Sequence, residues 1–119
     1  NWYGITEMEK AIKFWNDSAY TQMILDKWEG DPKQYLEFTS PISHVHDSSR
    51  VPIISIHGDQ DENVEFAQAL SLHEALKAKG IKNKLLKIAG KKHGGFTSEE
   101  YRYIFAEIEQ FFEWQAQQD

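Results

Sequence analysis

The chain has 119 residues, 27% of them charged and 40% hydrophobic, with a net charge of −6 at pH 7 and no cysteine. That length suits one domain, and the acidic balance excludes the basic footprint of a nucleic-acid binder. Without cysteine there are no disulfides or thiolate metal sites, although the compartment stays open, and no apolar run approaches a bilayer span.

In chain order, NWYG reads as the end of a strand and a turn. A chain that opens on such a stretch, with no Met and no visible signal peptide, reads as part of something longer. Thr6 followed by Glu9 has the spacing of a capping box. Met8, Ile12 and Trp15 recur at helical spacing, so a helix is expected over 7–16. A second is expected over 18–28, carrying Tyr20, Met23, Ile24 and Trp28, and Gly30-Asp31-Pro32 ends it. Residues 33–50 look irregular, apart from a short helix near 32–37. Ser40-Pro41-Ile42 and Asp47-Ser48-Ser49 are turn chemistry.

Residues 53–56 form a strand without polar alternation except Ser55, the pattern of a strand buried on both faces of a parallel sheet. A helix over 66–79 follows, with Ala69, Leu72 and Leu76 inward and Gly80 closing it. A strand over 83–89, a Gly-rich loop over 90–95 and a helix from Thr97 or Ser98 to about 115 complete the chain. Ile104, Ile108, Phe111 and Phe112 are expected to face inward on that helix. Strand, helix, strand, helix in this order gives a parallel α/β layer. Two strands, or three with residues 1–3, leave open sheet edges, and open edges invite pairing with another chain. Self-association, or pairing with a missing N-terminal half, is therefore expected.

In open α/β sheets, reactive groups collect at the carboxyl ends of strands. The first strand runs into His57-Gly58-Asp59-Gln60-Asp61, and the second into His93 within GKKHGG. Neighbouring strands lie about 5 Å apart, so an Asp and a His on these loops can form a hydrogen-bonded pair that orients the imidazole. His57 reads as an anchor of the strand end, and His73 as a surface residue. A metal site on His57, Asp59, Asp61 and His93, or on His44-Val45-His46-Asp47, is the weaker alternative. Trp2, Tyr3, Phe14, Trp15, Tyr20 and Trp28 read first as core aromatics.

The pieces SPI, HGDQDENV, ALKAKG and GKKHGGF together resemble the C-terminal part of α/β-hydrolases, both esterases/lipases and prolyl-oligopeptidase-type serine peptidases. NWYGITE resembles the strand-turn after the nucleophile region in acetyl-esterase-like carboxylesterases, which favours the ester hydrolase. The resemblance implies an α/β fold: the C-terminal portion of a three-layer sandwich, with parallel strands, helices on both faces and an incomplete sheet, over 1–119. Residues 5–35 would form a cap-like helical segment, some of whose aromatics would face substrate. The family's acid falls on Asp61 and its base on His93, in the chain order of this fold, with Asp59 in a structural role nearby. Glu65 stands where many members carry Pro. No cofactor is implied, and the substrate would be a small ester. No serine sits in a G-x-S-x-G elbow; among them, those at 40, 43, 48, 49, 55, 71 and 98 read as caps, turns or strand positions. The chain is therefore expected to be inactive alone. A serine peptidase fragment, or an interaction module derived from a hydrolase half, are the rival readings.

Overall fold

A computed structural model of the chain describes residues 1–27, 30–46 and 51–118. Trp28 and the Asp47-Ser48-Ser49 turn lie outside the described residues. The element order is α1 (Met8–Trp15), α2 (Ser18–Leu25), α3 (Pro32–Phe38), a 3₁₀ turn (Pro41–His44), β1 (Ile53–Gly58), α4 (Phe66–Ala78), β2 (Asn83–Ile88) and α5 (Ser98–Gln118).

The Ile-rich strand β1 is buried from Ile54 through Gly58. It pairs in parallel with β2, Ile53 opposite Asn83 through Gly58 opposite Ile88. Helix α4 makes the crossover between them. On its other edge β1 receives residues 1–3: the Ile56 N–H donates to the Asn1 carbonyl at 2.8 Å, and the Tyr3 N–H to the Ile56 carbonyl at 2.7 Å. Trp2 forms a parallel bridge with Ile56. The strand-end reading of residues 1–3 thus takes the form of a short third rung, with β1 in the middle.

Side chains alternate across the sheet, and each face has its own core. Ile54, Ile56, Leu86 and Ile88 pack with Phe96, Ile104 and Phe111 under α5. Ile53 packs with Leu72, Leu76 and Ile81 under α4. This is the expected α/β layering with helices on both faces. Phe112, expected inward, is 63% exposed. Phe111 occupies the inward position, and Phe112, about 100° further round the helix, is turned outward. The Thr97 side chain accepts from the Glu100 N–H while the Glu100 carboxylate accepts from the Thr97 N–H. That capping box starts α5. The backbone bond from Thr97 also holds the Glu100 carboxyl below the usual carboxylate range, so this contribution is full at neutral pH and fades as pH falls through the lowered value.

The expected cap on Thr6 does not form. The residue before α1 is Glu7, which makes no side-chain cap. Thr6 is buried and its hydroxyl donates instead to the Gln68 carbonyl at 2.6 Å. Gln68 on α4 is buried too; its Oε1 accepts from the Thr6 and Glu7 amides at 2.8 and 2.6 Å, and its Nε2 donates to the Glu7 carbonyl at 2.9 Å. This side chain latches the start of the helical segment to α4. Gln68→Ala leaves the Thr6 and Glu7 amides unpaired, so a chemical-denaturation experiment is expected to read a loss of about 2–4 kcal/mol. Helix α2 has no fully buried residue: Tyr20 and Met23 are exposed, and Ile24 and Leu25 are half-buried.

Candidate active site

Both loops at the carboxyl end of the sheet are bonded to each other. The Asp59 N–H donates to the Ile88 carbonyl, and the Gln60 N–H to the Lys91 carbonyl. The Asp59 carboxylate accepts from the Gly90 N–H at 2.7 Å. Gly58 lets the loops touch: a Cβ there would lie 2.2 Å from the Lys91 carbonyl oxygen. The His93 loop turns through Gly90, Gly94 and Gly95, all at positive φ, which glycine adopts without strain.

This stitching brings Asp61 and His93 together. The His93 Nδ1–H donates to Asp61 Oδ2 at 2.7 Å. A carboxylate only accepts, so the proton sits on Nδ1 and the Nε2 lone pair is left free. The Asp61 side chain is fully buried and that of His93 is 31% exposed. Asp61 Oδ1 accepts from the Asn63 and Val64 amides at 2.8 and 2.9 Å. Asp61 therefore shapes its own loop rather than capping α4, whose N-terminal flank is Glu65.

His57 is wholly buried at the end of β1. Its Nε2–H donates to the Val64 carbonyl at 2.6 Å and lies 3.3 Å from Asp61 Oδ2. It anchors the acid loop from below, as its strand-end position suggested. His44, expected in a solvated loop, bonds the Phe38 carbonyl through Nε2. His73 is not a free surface residue: it is half-buried and bonded to Asn83. Among the described residues no three His, Asp or Glu side chains are arranged to hold a metal ion.

Two aromatics read first as core residues turn out to be neighbours of the pair. The Tyr3 ring lies against the His93 imidazole, centroids 4.2 Å apart. The Trp15 Nε1–H donates to the Asn63 carbonyl at 2.6 Å, tying α1 to the acid loop. The signal for Tyr3 was its place at a strand's carboxyl end; nothing local marked Trp15. Beside His93 opens a cleft of about 550 Å³, walled by Phe14, Trp15, Tyr20 and Val64 with Asp17 and Glu62 at its rim. Trp15 and Tyr20 meet edge to face. Phe14 and Tyr20 are 41% and 45% exposed, so these rings face the cleft rather than a core.

The sequence profile of the prolyl oligopeptidase family matches residues 3–119. Dipeptidyl peptidase family member 2 of Caenorhabditis elegans is 28% identical over 95 residues, 80% of this chain and 11% of that protein. The chain thus spans about a tenth of that curated relative's length. Among solved structures, a truncated carbohydrate esterase from gut microbiota superposes with a TM-score of 0.70 at 24% identity, covering 94% of this chain and 40% of its own. An acylaminoacyl peptidase in complex with Z-Gly-Gly-Phe-chloromethyl ketone gives a TM-score of 0.63 at 20% identity, covering 78% and 15%. These two likenesses establish the α/β-hydrolase fold.

Proposed function

Because the chain belongs to the prolyl oligopeptidase family of serine hydrolases, we propose that it is the acid- and base-bearing C-terminal part of a carboxylic-ester hydrolase. The nucleophilic serine would come from residues outside these 119. The Asp61–His93 bond carries this reading. A serine hydroxyl set against the free Nε2 of His93 would lose its proton to it while attacking the acyl carbon. Asp61 holds the required tautomer and favours the imidazolium that forms. His93 then protonates the leaving alkoxide, and a water repeats the sequence to release the acid. Without nucleophile or oxyanion donors, each donor worth about 10²–10³-fold, the 119 residues alone are expected to show no significant esterase activity. Hydrolysis of an activated acetate ester by this chain alone, lost on His93→Ala, would refute that.

The partner in this reading is the nucleophile-bearing half. Among the described residues no strand pairs on the far side of residues 1–3, which bridge β1 through Trp2 and Ile56, and a further strand of that half would fit there. An apolar recess of about 430 Å³ beside Asn1, bounded by Ile5, Val45, Ile53, Leu72 and Leu76, supports the same pairing.

Residues 5–35 act as a cap whose aromatic wall meets the ring portion of an ester substrate. In the enzyme joined to its nucleophile-bearing part, Trp15→Ala is expected to raise KM for an acetylated sugar about tenfold by removing a stacking face. Turnover of ring-free glycerol triacetate should be little changed. Loss on both substrates alike would show that Trp15 only braces the acid loop.

The likeness of NWYGITE to acetyl-esterase-like enzymes favours an ester over an amide. So does the 94% coverage by the carbohydrate esterase, against 78% by the acylaminoacyl peptidase. A peptidase is the second reading, favoured by the family's name and by the dipeptidyl peptidase relative. Comparing kcat/KM of the chain joined to its nucleophile-bearing part for an acetyl ester and a dipeptidyl 4-nitroanilide separates the two. A preference for the ester of at least about 100-fold is expected, and the reverse order would establish the peptidase.

A further inference from the structure

Tyr3 sits where its residue type is least expected. Its φ is +40°, in the left-handed region that side chains beyond glycine and Asn rarely enter. Gly4 follows immediately, yet the left-handed position falls on the tyrosine. Strain of this kind persists only where the surroundings over-determine it, and an observed outlier is a starting point for a functional inference. Here two contacts determine it. The Tyr3 N–H is bonded to the Ile56 carbonyl at 2.7 Å, fixing its backbone to the central strand. Its ring is thrown over the His93 loop, 4.2 Å between centroids from the imidazole with the planes at 54°, and 6.3 Å from Phe96. The phenol oxygen reaches to 3.9 Å from where a Cβ on Gly94 would lie.

His93 needs such a contact. Its loop runs through three glycines at positive φ, so the backbone supplies reach rather than rigidity. The bond to Asp61 fixes one edge of the imidazole, but a single hydrogen bond does little to stop the ring tilting and shifting with its loop. The tyrosine ring packed against it limits that movement. A misplacement of about 1 Å in a reacting group can cost about 10²-fold in rate.

We propose that Tyr3 is a positioning residue for His93: it presses the imidazole into the plane in which Nδ1 meets Asp61 and Nε2 faces the acyl-transfer position. The aromatic ring acts, not the hydroxyl. This rests on the Asp61–His93 reading above, but it can fail separately from it.

The test is proton and nitrogen NMR of the imidazoles in the 119-residue chain. The His93 Nδ1–H, held by Asp61, should give a slowly exchanging downfield signal. The buried His57 Nε2–H, bonded to Val64, serves as an internal control of folding. Tyr3→Asn keeps a residue that tolerates the left-handed backbone and removes the ring. It is expected to broaden the His93 signal into exchange with water while the His57 signal persists. Tyr3→Phe should restore the His93 signal fully. If Tyr3→Asn loses both signals, Tyr3→Leu, which retains bulk without a flat face, decides. In the enzyme joined to its nucleophile-bearing part, Tyr3→Asn should lower kcat about tenfold to 10²-fold with KM little changed.

A His93 signal in Tyr3→Asn or Tyr3→Leu as sharp as in the parent would overturn the proposal, as would failure of Tyr3→Phe to restore it. If the parent itself shows no protected Nδ1–H, or His93→Ala leaves activity intact, the Asp61–His93 reading fails instead.

Discussion

Asp61→Asn is expected to lower kcat of the assembled enzyme by about 10⁴-fold with only a small change in KM. The carboxylate is fully buried and meets four donors: the amides of Asn63 and Val64 on Oδ1, and His93 and, more distantly, His57 on Oδ2. An Asn can keep its oxygen on the two amides. Its NH₂ group then faces His93, and the imidazole must accept there instead of donating. That moves the ring proton to Nε2, where a base needs a lone pair. The same NH₂ faces the His57 N–H, donor against donor, so a loss of about 1 kcal/mol in stability accompanies the change. A pH–rate profile with Asp61→Asn checks the cause. A tautomer defect lowers the plateau, whereas a purely structural defect would track the fraction folded.

Gly58→Ala is the second large effect. The glycine φ is not left-handed, so the constraint is space and not backbone strain. The added Cβ would lie 2.2 Å from the Lys91 oxygen, 2.5 Å from the Lys92 oxygen and 2.6 Å from the Lys91 carbonyl carbon. All three are backbone atoms of the loop that carries His93, and none can swing away as a flexible side chain would. The loop must therefore move as a unit, breaking the Gln60–Lys91 bond and pulling His93 off Asp61. A loss of about 3 kcal/mol or more is expected, at the upper end for overpacking. Thermal unfolding should shift down by more than about 10 °C on that basis. A melt within 2–3 °C of the parent (about 0.5 kcal/mol) would show that the two loops are loosely joined.

These expectations draw on features with different visibility in the sequence. Strands β1 and β2 and helices α4 and α5 are written locally, in apolar runs and helical spacing, and the structure places them where those patterns do. The meeting of Asp61 and His93 was legible because parallel neighbours with a helical crossover bring consecutive strand ends side by side. What was hidden depends on partners far along the chain. Thr6 has the chemistry of a cap, but Gln68, 62 residues away, takes its hydroxyl. Trp15 reads as core until its indole N–H is seen on Asn63, 48 residues on. Tyr3 was marked only by its place at a strand's carboxyl end; its contact with His93 was hidden, since the positive φ that directs its ring is set by the strand it leans on. Phe112 shows the limit of reading adjacent aromatics on one helix: spacing alone allows both inward, and the packing of the sheet against α5 takes Phe111 and leaves Phe112 63% exposed.

The account turns on His93 acting as the base of an acyl transfer. Its most direct test is kcat/KM for an activated acetate ester, measured on the chain joined to its nucleophile-bearing part, with and without His93→Ala. A fall of at least about 10⁴-fold in a folded variant is predicted. Activity within tenfold of the parent would contradict the account, because an enzyme that does not need this imidazole cannot be using the pair that Asp61 and His93 form.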